Sequence, residues 1–356
     1  PRFVSRLIKM ALDAGAELLD RTAALSPIVE GSWVRGAVIR DLRSGSKKEV
    51  RARVTVDATG ITGALRRRLP SEWPISEDVR QEDCEICYRE IVKLEEPPED
   101  PDYALIFLDQ EAAPGGYWWF FPKGRTGLVN VGLGVKGGRR SPNPAEKFRL
   151  CVKLKIGRIA RVLHSGGGVC PTRRPLHCMV WNGFLAVGDA ALTANPIHGG
   201  GMGPAMLSAR AASITISEAL SRGDPSVSSL WSYHRRYMRE YGIKQAGLDV
   251  LRMYLQRMSN EELNFLIEKK VVRSRDVELL GYQGELEEGL VSRVLGAVRL
   301  LSRPSILSRL VTVKRYMERV RRAYEEFPDS PEGFPSWKSR VDRIFEEYET
   351  WLSGLH

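Results

Sequence analysis

Hydrophobic and polar positions change rhythm several times along this 356-residue chain. Phe3, Leu7, Met10 and Ala14 recur at helical spacing and predict a helix that Gly15 ends. Residues 16–19 read as a short strand. Residues 33–42 and 49–56 alternate about a Ser44-Gly45-Ser46 turn and predict a hairpin. The second of these runs through Asp57-Ala58-Thr59-Gly60 into a helix beginning near Ile61. From about Trp73 to Val180 a period of two dominates. Residues 84–92, 103–108, 116–121 and 127–135 follow one another with turn signals between them, the pattern of an antiparallel sheet. A helix is expected over 143–163, broken at Gly157, and a turn at 166–168. Residues 184–187 form a short apolar strand ended by Gly188-Asp189, and an Ala-rich helix follows Gly199-Gly200-Gly201 as far as about Leu220. Beyond Arg222 amphipathic helices are expected over 227–259, 261–270, 274–282, 286–301, 306–327 and 337–352, punctuated by Pro304, Pro328, Pro331 and Pro335. The whole predicts an α/β (α+β) protein divided at 1–72, 73–180, 181–222 (a return to the first domain) and 223–356.

The formal charge of +10 implies affinity for something anionic. Arg66, Arg67 and Arg68, Arg139 and Arg140, and Arg235 and Arg236 read as solvated faces. They lack the aromatic interleaving or recognition-helix pattern of a nucleic-acid binder. No stretch approaches the roughly 18–20 apolar residues of a spanning helix, so a cytoplasmic protein, peripheral at the membrane surface, is expected. The chain begins at Pro1 inside a helical pattern, from which a missing N-terminal segment is expected. Five cysteines (Cys84, Cys87, Cys151, Cys170, Cys178) are an odd number, which argues against a fully paired framework. Cys84-Glu85-Ile86-Cys87 has no second pair to complete a zinc site and reads as strand, with Glu85 outward and Ile86 inward; no metal is expected. A Cys170–Cys178 bridge stays open. Gly132-x-Gly134-x-x-Gly137 ends a strand and precedes no helix, so it is not a dinucleotide fingerprint.

Two segments carry candidate chemistry. In residues 182–206 a carboxylate, Asp189, ends a strand, and the helix that follows begins with almost no side chains. The carboxylate can accept from a sugar hydroxyl. The bare amides from Gly200 to Met202, at the positive end of a helix dipole, can face an electron-rich carbonyl. A cofactor with a polyol and a polar ring edge suits this pattern. Upstream, Gly60 lets the backbone approach such a cofactor closely. In Gly115-Gly116-Tyr117-Trp118-Trp119-Phe120-Phe121-Pro122, the side chains of Tyr117, Trp119 and Phe121 share one strand face. Three aromatics on one face make a flat apolar wall that suits a long hydrocarbon.

The Gly-Asp-Ala-Ala stretch with its Asn-Pro and triple glycine resembles flavoproteins of the aromatic-hydroxylase type. Taken with Asp-Ala-Thr-Gly and Tyr-x-Trp-x-Phe-Pro, it resembles the geranylgeranyl reductase family, nearest its archaeal members acting on digeranylgeranylglycerophospholipids. The resemblance covers about residues 1–220. It implies a p-hydroxybenzoate-hydroxylase-like FAD fold, here without its N-terminal dinucleotide-binding unit of about a hundred residues. It also implies FAD contacts at Gly188, Asp189, Gly200, Gly201 and Met202, with Gly60 beside them. Tyr117, Trp119 and Phe121 would contact the substrate. The implied chemistry is hydrogenation of isolated C=C bonds, hydride coming from reduced flavin and a proton from an acid. Tyr117 and His198 are the candidate acids by position, although His198 also reads as a plain loop or capping residue. Arg173 and Arg174 are candidate contacts for a phospholipid or diphosphate head. A nicotinamide, a deazaflavin or a ferredoxin would supply electrons. Two other readings compete. One is a monooxygenase or halogenase of the same fold, for which Lys123 would be the tunnel lysine; the other is a non-catalytic basic module on a membrane surface.

Overall fold

A computed structural model of the chain describes residues 2–269 and 303–355. The helices expected over 274–282 and 286–301 lie outside the described residues. The chain opens with helix α1 (Arg2–Asp13) and a three-stranded antiparallel sheet, β1 (Thr22–Glu30), β2 (Trp33–Asp41) and β3 (Lys47–Arg51). The first strand therefore starts after the predicted 16–19, which is irregular. Next comes the short β4 (Thr55–Asp57), and beyond it only single 3-10 turns at Gly60–Thr62 and Arg66–Arg68 replace the helix expected from Ile61. Asp57 explains this. Its carboxylate accepts from Thr59 N and Oγ1, Leu65 N and Arg66 N, at 2.6–3.1 Å, which draws the chain into a tight loop.

Residues 84–171 build a five-stranded antiparallel sheet in the order β6-β7-β8-β5-β9: β5 (Cys84–Leu94), β6 (Leu105–Phe107), β7 (Tyr117–Pro122), β8 (Leu128–Lys136) and β9 (Ile159–Pro171). Four of these are the predicted alternating segments. The fifth corrects the expectation: the predicted 143–163 helix covers only α2 (Pro144–Lys147), a π turn (Phe148–Val152) and a 3-10 turn (Lys153–Lys155). Gly166, Gly167 and Gly168 lie inside β9, opposite Arg89, Tyr88 and Cys87, rather than in a turn. Glycines pair well enough here because β5 supplies the ladder on the other side. Trp118 and Phe120 of β7 bury into a core with Val131, Leu133, Val135 and the turn residues Phe148 and Val152.

After the short β10 (Val180–Trp181), β11 (Phe184–Ala186) pairs in parallel with β4, Ala186 opposite Asp57. This pairing brings Gly60 beside the Gly188–Ala191 turn. Helix α3 (Met202–Ser221) follows the glycine run. Helices α4 (Val227–Leu230), α5 (Ser232–Tyr237), α6 (Ile243–Leu255), α7 (Asn260–Glu268), α8 (Pro304–Glu325) and α9 (Phe334–Ser353) complete the described chain. They share one core with β11 and α3, in which Tyr233, Tyr254, Tyr324 and Tyr348 are buried. The α+β class with its antiparallel sheet and C-terminal helices is as expected. No helix among the described residues is long and apolar enough to cross a membrane.

Candidate functional site

The loop between the Gly188–Ala191 turn and α3 is held by its own backbone. Leu192 closes the turn in the left-handed region (φ 58°), a conformation costing a branched residue about 1–2 kcal/mol. Its neighbours over-determine it. Gln245 of α6 donates to the carbonyls of Leu192 (2.6 Å) and Arg173 (2.8 Å), and its own oxygen accepts from Tyr237. Asn195 accepts from Ile197 N, while its amide donates to Tyr241 Oη. The result is a rigid lip ending in His198, whose Nδ1 accepts from Gly200 N at 3.1 Å.

Behind the lip lies the cofactor candidate. The Asp189 carboxylate is half-buried and takes no hydrogen bond from the described residues; desolvation raises its pKa. A β-carbon at Gly201 would come within 3.1 Å of Asp189 Oδ1, and one at Gly200 within 2.5 Å of the His198 ring. A side chain at either position would press on Asp189 or His198, and glycine keeps the first amides of α3 open in front of a carboxylate that takes no hydrogen bond from the described residues. Met202 is exposed at the head of the helix. Gly188 (φ 59°) lets the turn pack against Ala205, and Gly60 (φ 70°) has open space where a side chain would sit. These residues fit a cofactor that offers hydroxyl donors to Asp189 and an electron-rich edge to the helix start. Gly60, Gly188, Asp189, Gly200, Gly201 and Met202 are thus brought together.

The aromatic strand meets this lip directly. Tyr117 Oη donates to the His198 carbonyl at 2.7 Å. Tyr117, Trp119 and Phe121 run edge-to-face and then stacked, with ring centroids 6.0 and 6.2 Å apart. A cavity of about 210 Å³ opens between them and the lip, lined by Tyr117, Trp119, Phe121, Ile197, His198 and Gly199. Its floor is formed by residues the sequence reading missed: Glu85, Cys87, Asn130, Gly134, Cys170 and Thr172. Asn130 accepts from Trp119 Nε1 at 3.3 Å and fixes the indole. The G-x-G of β8 has a role here. A β-carbon at Gly132 would strike the Trp119 ring at 2.6 Å, and one at Gly134 would strike Glu85 Oε2 at 2.7 Å. The signal for the floor was present as register: Glu85 and Cys87 have the same parity on β5, and Gly134 pairs with both Cys87 and Tyr117.

Several expectations are corrected. Glu85 does not face outward; it is buried and lines the cavity. Arg173 and Arg174 do not wait for a headgroup. Both are buried, Arg173 bonded to Glu77 at 2.8 Å and Arg174 to Asp249 at 3.1 Å while lying over the Phe345 ring. Arg66, read as solvated, is buried and bonded to the carbonyls of Ala190, Ile75 and Glu77. Lys123 sits exposed in the turn after β7, outside the cavity lining. All five cysteines are free thiols, so no Cys170–Cys178 bridge forms. The arginines of the surface cleft between α3 and α5 are mostly ion-paired, Arg210 with Glu240 and Arg236 with Glu218.

The model of the geranylgeranyl reductase catalytic domain matches residues 83–170, which include the five-stranded sheet and its aromatic strand. A digeranylgeranylglycerophospholipid reductase of Sulfolobus acidocaldarius is 39% identical over 99% of this chain and 78% of its own length. One from Methanothrix thermoacetophila is 33% identical over 78% of this chain and 68% of its own length. In fold, the chain is similar to a geranylgeranyl bacteriochlorophyll reductase-like protein of Thermoplasma acidophilum (TM-score 0.68, 24% identity, 88% of this chain and 74% of that one). It is also similar to a flavin-dependent brominase (TM-score 0.58, 17% identity, 85% and 75%). With a relative 39% identical over 99% of its length, the chain belongs to the geranylgeranyl reductase family of FAD-dependent oxidoreductases.

Proposed function

We propose that this protein saturates isolated C=C bonds in the geranylgeranyl chains of an archaeal glycerophospholipid. The observation that carries this reading is the continuity of the two halves of the site: Tyr117 of the aromatic strand bonds the lip that leads into α3. A hydrocarbon lying on Tyr117, Trp119 and Phe121 would stand against whatever occupies the cradle.

FAD bound there supplies the hydride equivalent; the chain's residues do the rest. Asp189 would accept from the ribitol hydroxyls. The amides of Gly201 and Met202 would face the pyrimidine edge, where negative charge gathers on reduction. The aromatic wall would bind and orient the alkene, with Ile197 and His198 lining the cavity beside it. Contact of the protein with the membrane that holds such lipids belongs to the same reading.

The test is anaerobic. The FAD-loaded protein, reduced with dithionite, should add pairs of hydrogens to a geranylgeranylated glycerophospholipid, read by mass. A strict need for oxygen, with an added oxygen or halogen in the product, would replace this reading by that of a monooxygenase or halogenase. The exposed position of Lys123 argues against the halogenase.

A further inference from the structure

Saturating an alkene needs a proton as well as a hydride, and Tyr117, one of the two acids nearest by motif, is poorly placed to give one. Tyr117 commits its only O–H to the His198 carbonyl, and burial, reinforced by Glu85, pushes its pKa far up. His198 Nδ1 accepts from Gly200 N, which leaves the ring proton on Nε2.

Glu85 is different. It lies on β5 opposite Lys136, its side chain running beneath β8 and β7 on the cavity side. Oε2 would be 2.7 Å from a β-carbon at Gly134 and 2.9 Å from one at Gly116, so two glycines clear its path. The groups around it leave it nearly unpaired. Gln256 Nε2 reaches Oε1 only at 3.5 Å. Arg252 of α6 is drawn away by Asp249 at 2.7 Å and by Asp83. Lys136 of β8 is the other cation nearby. Cys87 on β5, Tyr117 on β7, Cys170 on β9 and His198 of the lip complete the titratable lining, and burial raises the first three, Cys87 to about 12. None of those three competes as an acid near neutrality. Burial pushes the Glu85 carboxyl up to about 7, against the pull of Arg252, Gln256 and Lys136.

We propose that Glu85 is the proton donor of the reaction, from the floor of the cavity under the aromatic wall. The inference rests on the reductase reading above. The π pair takes the Glu85 carboxyl proton to form a C–H bond at one alkene carbon. The other carbon, made electron-deficient as this happens, receives the hydride supplied by reduced flavin and forms the second C–H bond. The flavin is oxidised by two electrons, the alkene is reduced by two, and Glu85 is left as a carboxylate that solvent reprotonates.

The cofactor-free protein supplies the first test. Infrared titration should show a carboxylic-acid carbonyl band that fades as pH rises through about 7 and is missing in Glu85→Gln. In the FAD-loaded, prereduced enzyme, Glu85→Gln should slow single-turnover saturation by about 10²–10⁴-fold at unchanged FAD content, and Glu85→Asp should recover part of the loss. The wild-type rate should fall above about pH 7, and that limb should vanish in the Gln variant. A Gln variant with the wild-type rate or the same pH limb overturns the proposal, as does absence of the infrared band. If the wild type itself adds no hydrogen to the lipid, the reductase reading fails and this inference with it. A competent wild type beside an unimpaired Gln variant sinks only the role of Glu85.

Discussion

Two groups of buried carboxylates lie close together in this protein and behave oppositely. Behind the site, Asp83 and Asp249 meet arginines at every side. Asp83 bonds Arg80 at 3.0 Å and faces Arg173 and Arg252, while Asp249 bonds Arg174 and Arg252. Burial alone would raise both pKa values, but the surrounding charge wins, bringing Asp83 down to about 2 and lowering Asp249 as well. Within the site, half-buried Asp189 and buried Glu85 have no comparable partners among the described residues, and both are raised. Burial therefore does not decide the charge of a carboxylate here; the supply of donors does. The paired group anchors β5 and the Arg173–Arg174 segment to α6. The unpaired group keeps its hydrogen-bonding capacity for something else, which is what a binding site requires.

The largest break in this contrast comes from the paired side. Arg173→Ala would take one cation from Glu77 and Asp83, leaving, among the described residues, Glu77 paired only with His177 and Asp83 only with Arg80 and Arg252, and should cost about 3–5 kcal/mol of stability, read by denaturant unfolding. A loss under about 1 kcal/mol would mean the network is incidental.

The second effect is a difference of sign with pH. Glu85 holds its proton in the folded state up to about 7, whereas unfolded it loses it near 4.5, so stability falls as pH rises between these values. The penalty reaches about 3 kcal/mol above pH 7, and Glu85→Gln should abolish it. Asp83 works in reverse. Its contribution, about 2 kcal/mol, is present above the unfolded value of 3.8 and is lost as pH falls through about 2. Stability profiles of wild type and Gln variant that run parallel from pH 4.5 to 7 would refute the Glu85 half of the comparison.

On the unpaired side, Asp189→Ala removes no partner from the protein, so folding should be nearly unaffected. FAD affinity should drop about 10–100-fold, giving largely colourless protein after dialysis. Normal yellow protein would exclude the assigned role. The smallest effect belongs to the wall. Trp119→Ala should retain FAD and reduce turnover on a geranylgeranyl lipid about 10-fold, judged by comparing flavin absorbance with product mass. An unchanged rate would remove the wall from the substrate's path.

Local pattern made much of this visible. Alternation marked four strands of the large sheet, and the parity of Tyr117, Trp119 and Phe121 set their common face. The strand-end Asp189 and the glycines before α3, the candidate cradle, were legible because they lie in short, contiguous sequence. The misses have a common cause. β9 was hidden because its glycines and exposed polar residues carry no alternation of their own and depend on β5 for pairing. Arg173 and Arg174 read as headgroup contacts and Arg66 as a solvated face because nothing in their local sequence names a partner; Asp249 lies 75 residues from Arg174.

Sequence alone determined the period of each element, the side on which the aromatics stand and the chemical character of the cradle, since these follow from residues within one turn or strand of each other. Tertiary structure decided which carboxylates are neutralised and which stay unpaired. Those outcomes depend on charges and glycines that strand register and helix packing bring together across the chain, and the energy of a buried carboxylate is set by neighbours within a few ångströms rather than by its place in the sequence.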